Sequence, residues 1–88
     1  MTVRISDRAL RHIGEIFEYI AQDNSEAARR VVGRLQSAIR LLEFHPRIGR
    51  ESEFRRRREL VVDEYVIIYS VRREEVVVET IVHGARKK

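Results

Sequence analysis

The 88-residue chain contains no cysteine. Disulfides and thiolate metal sites are therefore excluded, and a reducing compartment fits. There is no tryptophan, a single proline (Pro46), and four glycines standing far apart, so no glycine-rich phosphate loop exists. Lysine is confined to Lys87 and Lys88. No apolar run approaches the roughly 18 residues that would suggest a membrane span, and Met1 to Arg11 lacks the apolar core of a signal peptide. A cytoplasmic location without membrane association is expected. His12, His45 and His83 are widely separated with no ligand-like spacing, so neither a metal nor a cofactor is expected. No Ser/His/Asp constellation can be identified, and Asp63-Glu64 and Glu74-Glu75 read as turn carboxylates rather than an acid/base pair.

Hydrophobic residues make up 43% of the chain and charged residues 36%, which predicts one domain with a thin core and a heavily charged surface. The net charge of +4 is uneven. Residues 1–44 carry seven Lys/Arg against six Asp/Glu, and residues 45–88 carry eleven against eight. A basic second half suits an acidic partner, either nucleic acid or an acidic protein segment.

The densest pattern lies between Leu60 and Arg86. Three runs rich in β-branched and aromatic residues, Leu60–Val62, Tyr65–Arg72 and Glu75–His83, are separated by Asp63-Glu64 and Arg73-Glu74. Such runs favour strands, and gaps this short favour antiparallel pairing, because a parallel return needs a long crossover. Neither gap holds Gly or Asn, so tight and longer hairpin loops both remain open. Upstream, Thr2 to Ile5 alternates as a short first strand. Ser6 is placed to cap a helix that Asp7 opens. Leu10, Ile13, Phe17 and Ile20, widened by Ala9, Ile16 and Ala21, give that helix about four turns with one apolar face. Ser25 is the expected cap of a second helix whose stripe, Ala28, Val31, Val32, Leu35, Ala38, Ile39 and Leu42, runs to about Glu43. Arg29, Arg30, Arg34 and Arg40 read as its solvated side.

Pro46 ends the second helix. His45 to Phe54 is expected to be an ordered loop, with Phe54 tucked onto the core. Arg55 to Arg58 leads into the first strand of the meander, where alternation predicts Arg56 and Arg58 on one face and Arg55 and Arg57 on the other. The sum is a β-α-α-β-β-β domain of the α+β class spanning 1–88, a helical hairpin packed on a small antiparallel sheet. Phe17 and Leu35 are expected in its core.

A metal-free ribonuclease needs cations for the charge that develops on phosphorus, and a proton donor or acceptor. Arg50, Arg58 and Arg86 qualify as cations and His83 as the proton-transfer group. The plainer reading of His83 is a structural histidine at a strand end. The Arg55–Arg58 run reads equally as a solvated edge or a partner-binding patch.

An ordered set of short motifs resembles the ParE/RelE superfamily of toxins from type II toxin–antitoxin pairs. It comprises Glu15-Ile16 and Tyr19-Ile20, Ala27-Ala28-Arg29, Leu42, Pro46 and Gly49-Arg50. Then follow Arg58-Glu59-Leu60, Tyr65-Val66-Ile67-Ile68-Tyr69 and Ile81-Val82-His83-Gly84-Ala85-Arg86. The resemblance implies the same β-α-α-β-β-β fold and a toxin neutralised in a hetero-oligomer by a cognate antitoxin, whose acidic segment folds on binding. It also implies one of two targets. ParE-like members inhibit DNA gyrase without chemistry of their own, whereas RelE-like members cleave messenger RNA on the ribosome. The ending His83-Gly84-Ala85-Arg86 is similar to the ParE branch, since some nucleases place a tyrosine where this chain has Gly84. The scarcity of lysine points the same way. A nuclease would have to rest on Arg50, Arg58, Tyr69, His83 and Arg86. For a binding toxin the implied contact residues are Arg50, Arg55, Arg56, Arg57, Arg58, His83 and Arg86. A third reading is a degenerate member that only binds an antitoxin. Only Lys87 and Lys88 follow Arg86, so the longer tail some members use is not expected.

Overall fold

A computed structural model of the chain describes residues 1–54 and 56–86, and for Arg86 the backbone alone. Strand β1 is Thr2–Ile5, helix α1 Asp7–Ala21 and helix α2 Ser25–Leu41. Strands β2 (Arg50–Glu51), β3 (Arg58–Val62), β4 (Tyr65–Val71) and β5 (Glu75–His83) follow, and Gly84–Arg86 closes the described chain as a 3-10 turn. Among the described residues no helix is long and apolar enough to cross a membrane.

Both helices start on side-chain caps. The Ser6 hydroxyl accepts the Ala9 amide at 3.0 Å and donates to the Glu79 carbonyl at 2.8 Å, so one side chain starts α1 and fastens it to β5. For α2 the cap is Asn24 rather than Ser25: its Oδ1 accepts the Ala27 amide at 3.0 Å, and Ser25 is already the first helical residue. Both types cap well, and the extended backbone of Asn24 (φ −158°) aims its side chain at the first turn. Helix α2 ends at Leu41 and passes through turns to His45, whose amide reaches the Leu41 carbonyl at 2.9 Å.

The sheet has five strands in the order β1-β5-β4-β3-β2. Its antiparallel meander, β3-β4-β5, is the one expected, and both hairpins are tight. Val62 pairs with Tyr65 across Asp63-Glu64, and Arg72 donates to the Glu75 carbonyl across Arg73-Glu74. Asp63 supplies the left-handed conformation (φ 55°) that Gly or Asn would otherwise provide, a conformation Asp tolerates better than most residues. The Arg34 guanidinium holds both Asp63 carboxylate oxygens, at 2.9 and 3.1 Å, tying this turn to α2.

The sheet is mixed rather than wholly antiparallel, because β1 joins β5 in parallel, Thr2 opposite Glu75 and Ile5 opposite Val78. The long-crossover rule is obeyed, since the whole chain lies between them. A two-residue strand inside the expected loop, β2, adds the other edge.

Helices and sheet enclose one core. Ala9, Leu35, Ile39 and Leu42 meet Tyr65, Ile67, Tyr69, Val76, Val78 and Ile81. The step from Val78 to Ile81 is three residues, not two, because Glu79 is extra to the ladder: Ile68 pairs with Thr80 and Tyr69 with Val78. This bulge returns Ile81 to the helix side. Beyond Ile5, α1 covers the uncovered edge of β5, where His12 Nδ1 accepts the Ile81 amide at 3.3 Å and lies 2.9 Å from the Thr80 hydroxyl.

Three expected core placements differ. Leu10 is 52% exposed, at the margin of the α1 stripe; Phe17 is only half-buried; and Phe54 is 49% exposed on its loop instead of tucked onto the core. Periodicity identifies the apolar arc but not its margin. Gly14, exposed in the middle of α1, has ordinary helical conformation, and a methyl group there would meet no atom within 4 Å. Gly14→Ala is therefore expected to stabilise the fold by about 0.5–1 kcal/mol in denaturant titration.

Candidate functional site

Strand β2 stands beside β3 with Arg50 opposite Glu59. Glu59 is 2% exposed, and a carboxylate so buried must be paired. Arg50 donates to its Oε1 from Nε (3.3 Å) and Nη2 (3.2 Å), and Ser52 Oγ donates to Oε2 at 2.9 Å. Glu59 thus holds one edge of the Arg50 guanidinium, and the side chain remains 66% exposed.

The neighbouring arginine is used differently. Arg58 opens β3 opposite Tyr69 and turns its Nη1 to the Gly49 carbonyl (2.7 Å) and the Arg47 carbonyl (3.4 Å). Tyr69, fully buried, accepts the Gly49 amide at 2.9 Å. Burial raises its phenol above the ordinary 10, while the Gly49 hydrogen bond and the charges of Arg58 and Arg47 pull down less strongly. Tyr69 is protonated at neutral pH and shut off from solvent. Arg58 and Tyr69 together clamp the loop that carries Arg50.

The arginine run is not strand. Strand β3 begins at Arg58, and Arg56 has a left-handed backbone (φ 63°) within a turn closed by the Ser52 amide on the Arg57 carbonyl at 2.9 Å. The alternation expected of these side chains therefore does not apply. Arg55 lies outside the described residues, as does the side chain of Arg86. Arg57 Nε reaches Glu79 Oε1 at 2.7 Å. Burial pushes the Glu79 carboxyl up, but its hydrogen bond and charge contact with Arg57, with Arg72 adding, hold it below its ordinary value. A carboxyl lowered on folding stabilises above its unfolded pKa, and that contribution fades as pH falls through the folded value. The melting temperature of Glu79→Gln should thus lie below the parent's at neutral pH, and the gap should close below about pH 4.

His83 ends β5. Its ring stands edge-on to Tyr65, centroids 5.5 Å apart. Nδ1 accepts the Ala85 amide at 3.2 Å, which places the hydrogen of the neutral ring on Nε2, 3.4 Å from Glu64 Oε2. His83, Gly84 and Ala85 line an open depression of about 430 Å³ with the β3–β4 turn, Val61 and Val66, and Arg50 closes its other side. So the fold brings Arg50 and His83 to one groove, whereas Arg58 and Tyr69 serve the loop behind it. Among the described residues no group of three or more His, Asp or Glu side chains could hold a metal ion.

Glu59 and Glu79 hold Arg50 and Arg57, and Glu64 stands beside His83; from the sequence none of the three is assigned a role at the site. Glu79 had a visible signal, since a carboxylate inside a valine-rich strand must find a partner. Glu59, between Arg58 and Leu60, had a weaker one. Glu64 had none beyond its place in a turn.

The comparisons with known proteins agree with one another. A family profile described as the ParE toxin of the type II toxin–antitoxin system parDE matches residues 3–88. The chain is 39% identical over 84 residues to Y4kP of Sinorhizobium fredii (strain NBRC 101917 / NGR234), a protein whose name marks it as a candidate toxin; the match covers 93% of this chain and 86% of that one. The fold is similar to a chain in the structure of the chromosomal ParDE TA system from P. aeruginosa, with a TM-score of 0.84 at 19% identity, covering 94% of this chain and 95% of the other.

Proposed function

This chain belongs to the ParE toxin family of type II toxin–antitoxin systems, and from that premise we propose that it acts by binding and inhibiting DNA gyrase, held inactive by a cognate antitoxin. The observation that carries the reading is the dispersal of the nuclease candidates. Tyr69 is buried with its phenol protonated, and Arg58 is committed to the Gly49 and Arg47 carbonyls. A phosphate clamp needs cations pointing at a shared position in a cleft; of the described candidates only Arg50 and His83 line one groove. The antitoxin in this reading contributes an acidic segment that folds onto the basic surface, pairing carboxylates with the exposed arginines. The partners are thus gyrase and the antitoxin, in a hetero-oligomer of toxin and antitoxin.

One observation favours the alternative, a ribosome-dependent messenger-RNA endonuclease: Arg50 and His83 do share that groove, with Glu64 beside the ring. Expression of the chain alone in a bacterium separates the two. Lost supercoiling or double-strand DNA breaks with intact transcripts is the expected result. Codon-phased transcript cuts with normal DNA, abolished by His83→Gln, would replace it with the nuclease. Normal growth with soluble protein present would mark a member that has lost its target and keeps only the antitoxin.

A further inference from the structure

We propose that the Arg57–Glu79 pair is an internal latch over a carboxylate-binding surface, on the face of the sheet away from the helices, and that a carboxylate-rich polypeptide segment opens it by replacing Glu79. Arg57 stands at the end of the Ser52–Arg57 turn, one residue before β3, yet its guanidinium reaches Glu79 on β5, two strands away. Glu79 is the bulge residue, the one position of β5 outside the ladder. A bulge re-aims its side chain, and here it delivers a carboxylate to that arginine.

The same face selects carboxylates twice more. Arg4 holds Glu75 at 3.4 Å, and Arg50 holds Glu59. Arg72 adds positive charge at Glu79 without a carboxylate of its own among the described residues, and Arg56 is exposed at the turn. A segment that displaced Glu79 would therefore meet Arg57 and Arg72 together, with Arg56 exposed on the turn that carries Arg57. Surface ion pairs are weak, so the latch yields to a partner offering several carboxylates at once. A polypeptide fits better than a nucleic acid, because unpaired bases bind by stacking on aromatic rings. The sheet's aromatic residues, Tyr65 and Tyr69, pack in the core against the helices instead, and the one exposed ring in the Ser52–Arg57 turn, Phe54, makes no platform for successive bases. The latch rests on the acidic polypeptide partner proposed above and is independent of gyrase as the target.

The test uses the full chain and a fluorescein-labelled oligo-glutamate peptide. Glu79→Gln removes the internal competitor and keeps every cation; affinity should rise about two- to fivefold, the equilibrium equivalent of a surface ion pair. Arg57→Gln should bind more weakly than the parent, and Arg57→Lys should recover most of the loss. In the Arg57→Gln background, Glu79→Gln should add little, because the two act on one another. Additive effects would reduce the observation to net charge and overturn the latch, as would unchanged affinity in Glu79→Gln. A poly-uridylate probe gaining more than oligo-glutamate from Glu79→Gln would overturn the assignment to a polypeptide.

Discussion

Replacing Leu35 by alanine is expected to cost about 2–5 kcal/mol of folding stability. Leu35 is fully buried on α2, in the cluster it forms with Ile39, Leu42 and the inward side chains of β4 and β5. The cost combines lost burial with the cavity left between a helix and a sheet that are each held by other contacts, so collapse is limited. In a domain of this size that is a large part of the total, and the melting midpoint should fall by roughly 10–30 °C. Phe17 provides the control. It is the larger side chain, but it is half-exposed on α1, so Phe17→Ala should cost clearly less. If the two variants melt in the reverse order, or Leu35→Ala melts with the parent, the helix-on-sheet packing described above is wrong.

That ordering also marks what could be read from the residues alone. The meander, the first strand and the two helices were legible because each rests on a local signal: valine-rich runs, a period of 3.6, Ser6 before Asp7. The core was legible where the signal was central to a face, as at Leu35. It was not at Leu10 and Phe54, whose surroundings depend on how far the neighbouring element extends. The parallel pairing of β1 with β5 joins residues more than seventy positions apart, and no local pattern encodes it. The bulge at Glu79 was hidden because its strand reads as continuous.

The candidate site was legible in composition and not in geometry. Arg50, Arg57, Arg58, Tyr69 and His83 were all nameable in advance, yet their roles depend on carboxylates and carbonyls that spacing does not reveal. Arg58 could pass for a phosphate ligand until the Gly49 carbonyl is seen at 2.7 Å. Tyr69 could pass for an acid or base until its burial is known. A positive run therefore identifies a basic surface without distinguishing the arginines that face solvent from those that build the loop beneath them.

The loop itself turns on one glycine. Gly49→Ala is expected to destabilise the protein by about 1–3 kcal/mol or more, although the substitution adds only a methyl group to a backbone with no positive φ. The methyl carbon would stand 2.6 Å from the Glu59 carbonyl oxygen and 2.7 Å from the Tyr69 hydroxyl. One neighbour is backbone inside the sheet and the other a fully buried ring, so neither can swing aside. Relief requires the loop to lift from β3, which breaks the Gly49 amide's bond to Tyr69, loosens the hold of Arg58, and moves Arg50 off Glu59. Tyr69→Phe separates the two parts of this strain. Alone it should cost about 1–3 kcal/mol, because it leaves the buried Gly49 amide without its acceptor. In that background Gly49→Ala should cost less than in the parent, since the hydroxyl clash is gone, but more than zero, since the Glu59 carbonyl and the ring carbon Cε1, 2.9 Å from the added methyl, remain. Chemical denaturation of the four proteins measures the cycle. Full additivity would mean that Gly49 and Tyr69 do not meet, and a Gly49→Ala protein as stable as the parent would mean that the loop does not press against β3 at all. The expected pattern instead makes Gly49 the residue through which the sheet determines where Arg50 stands.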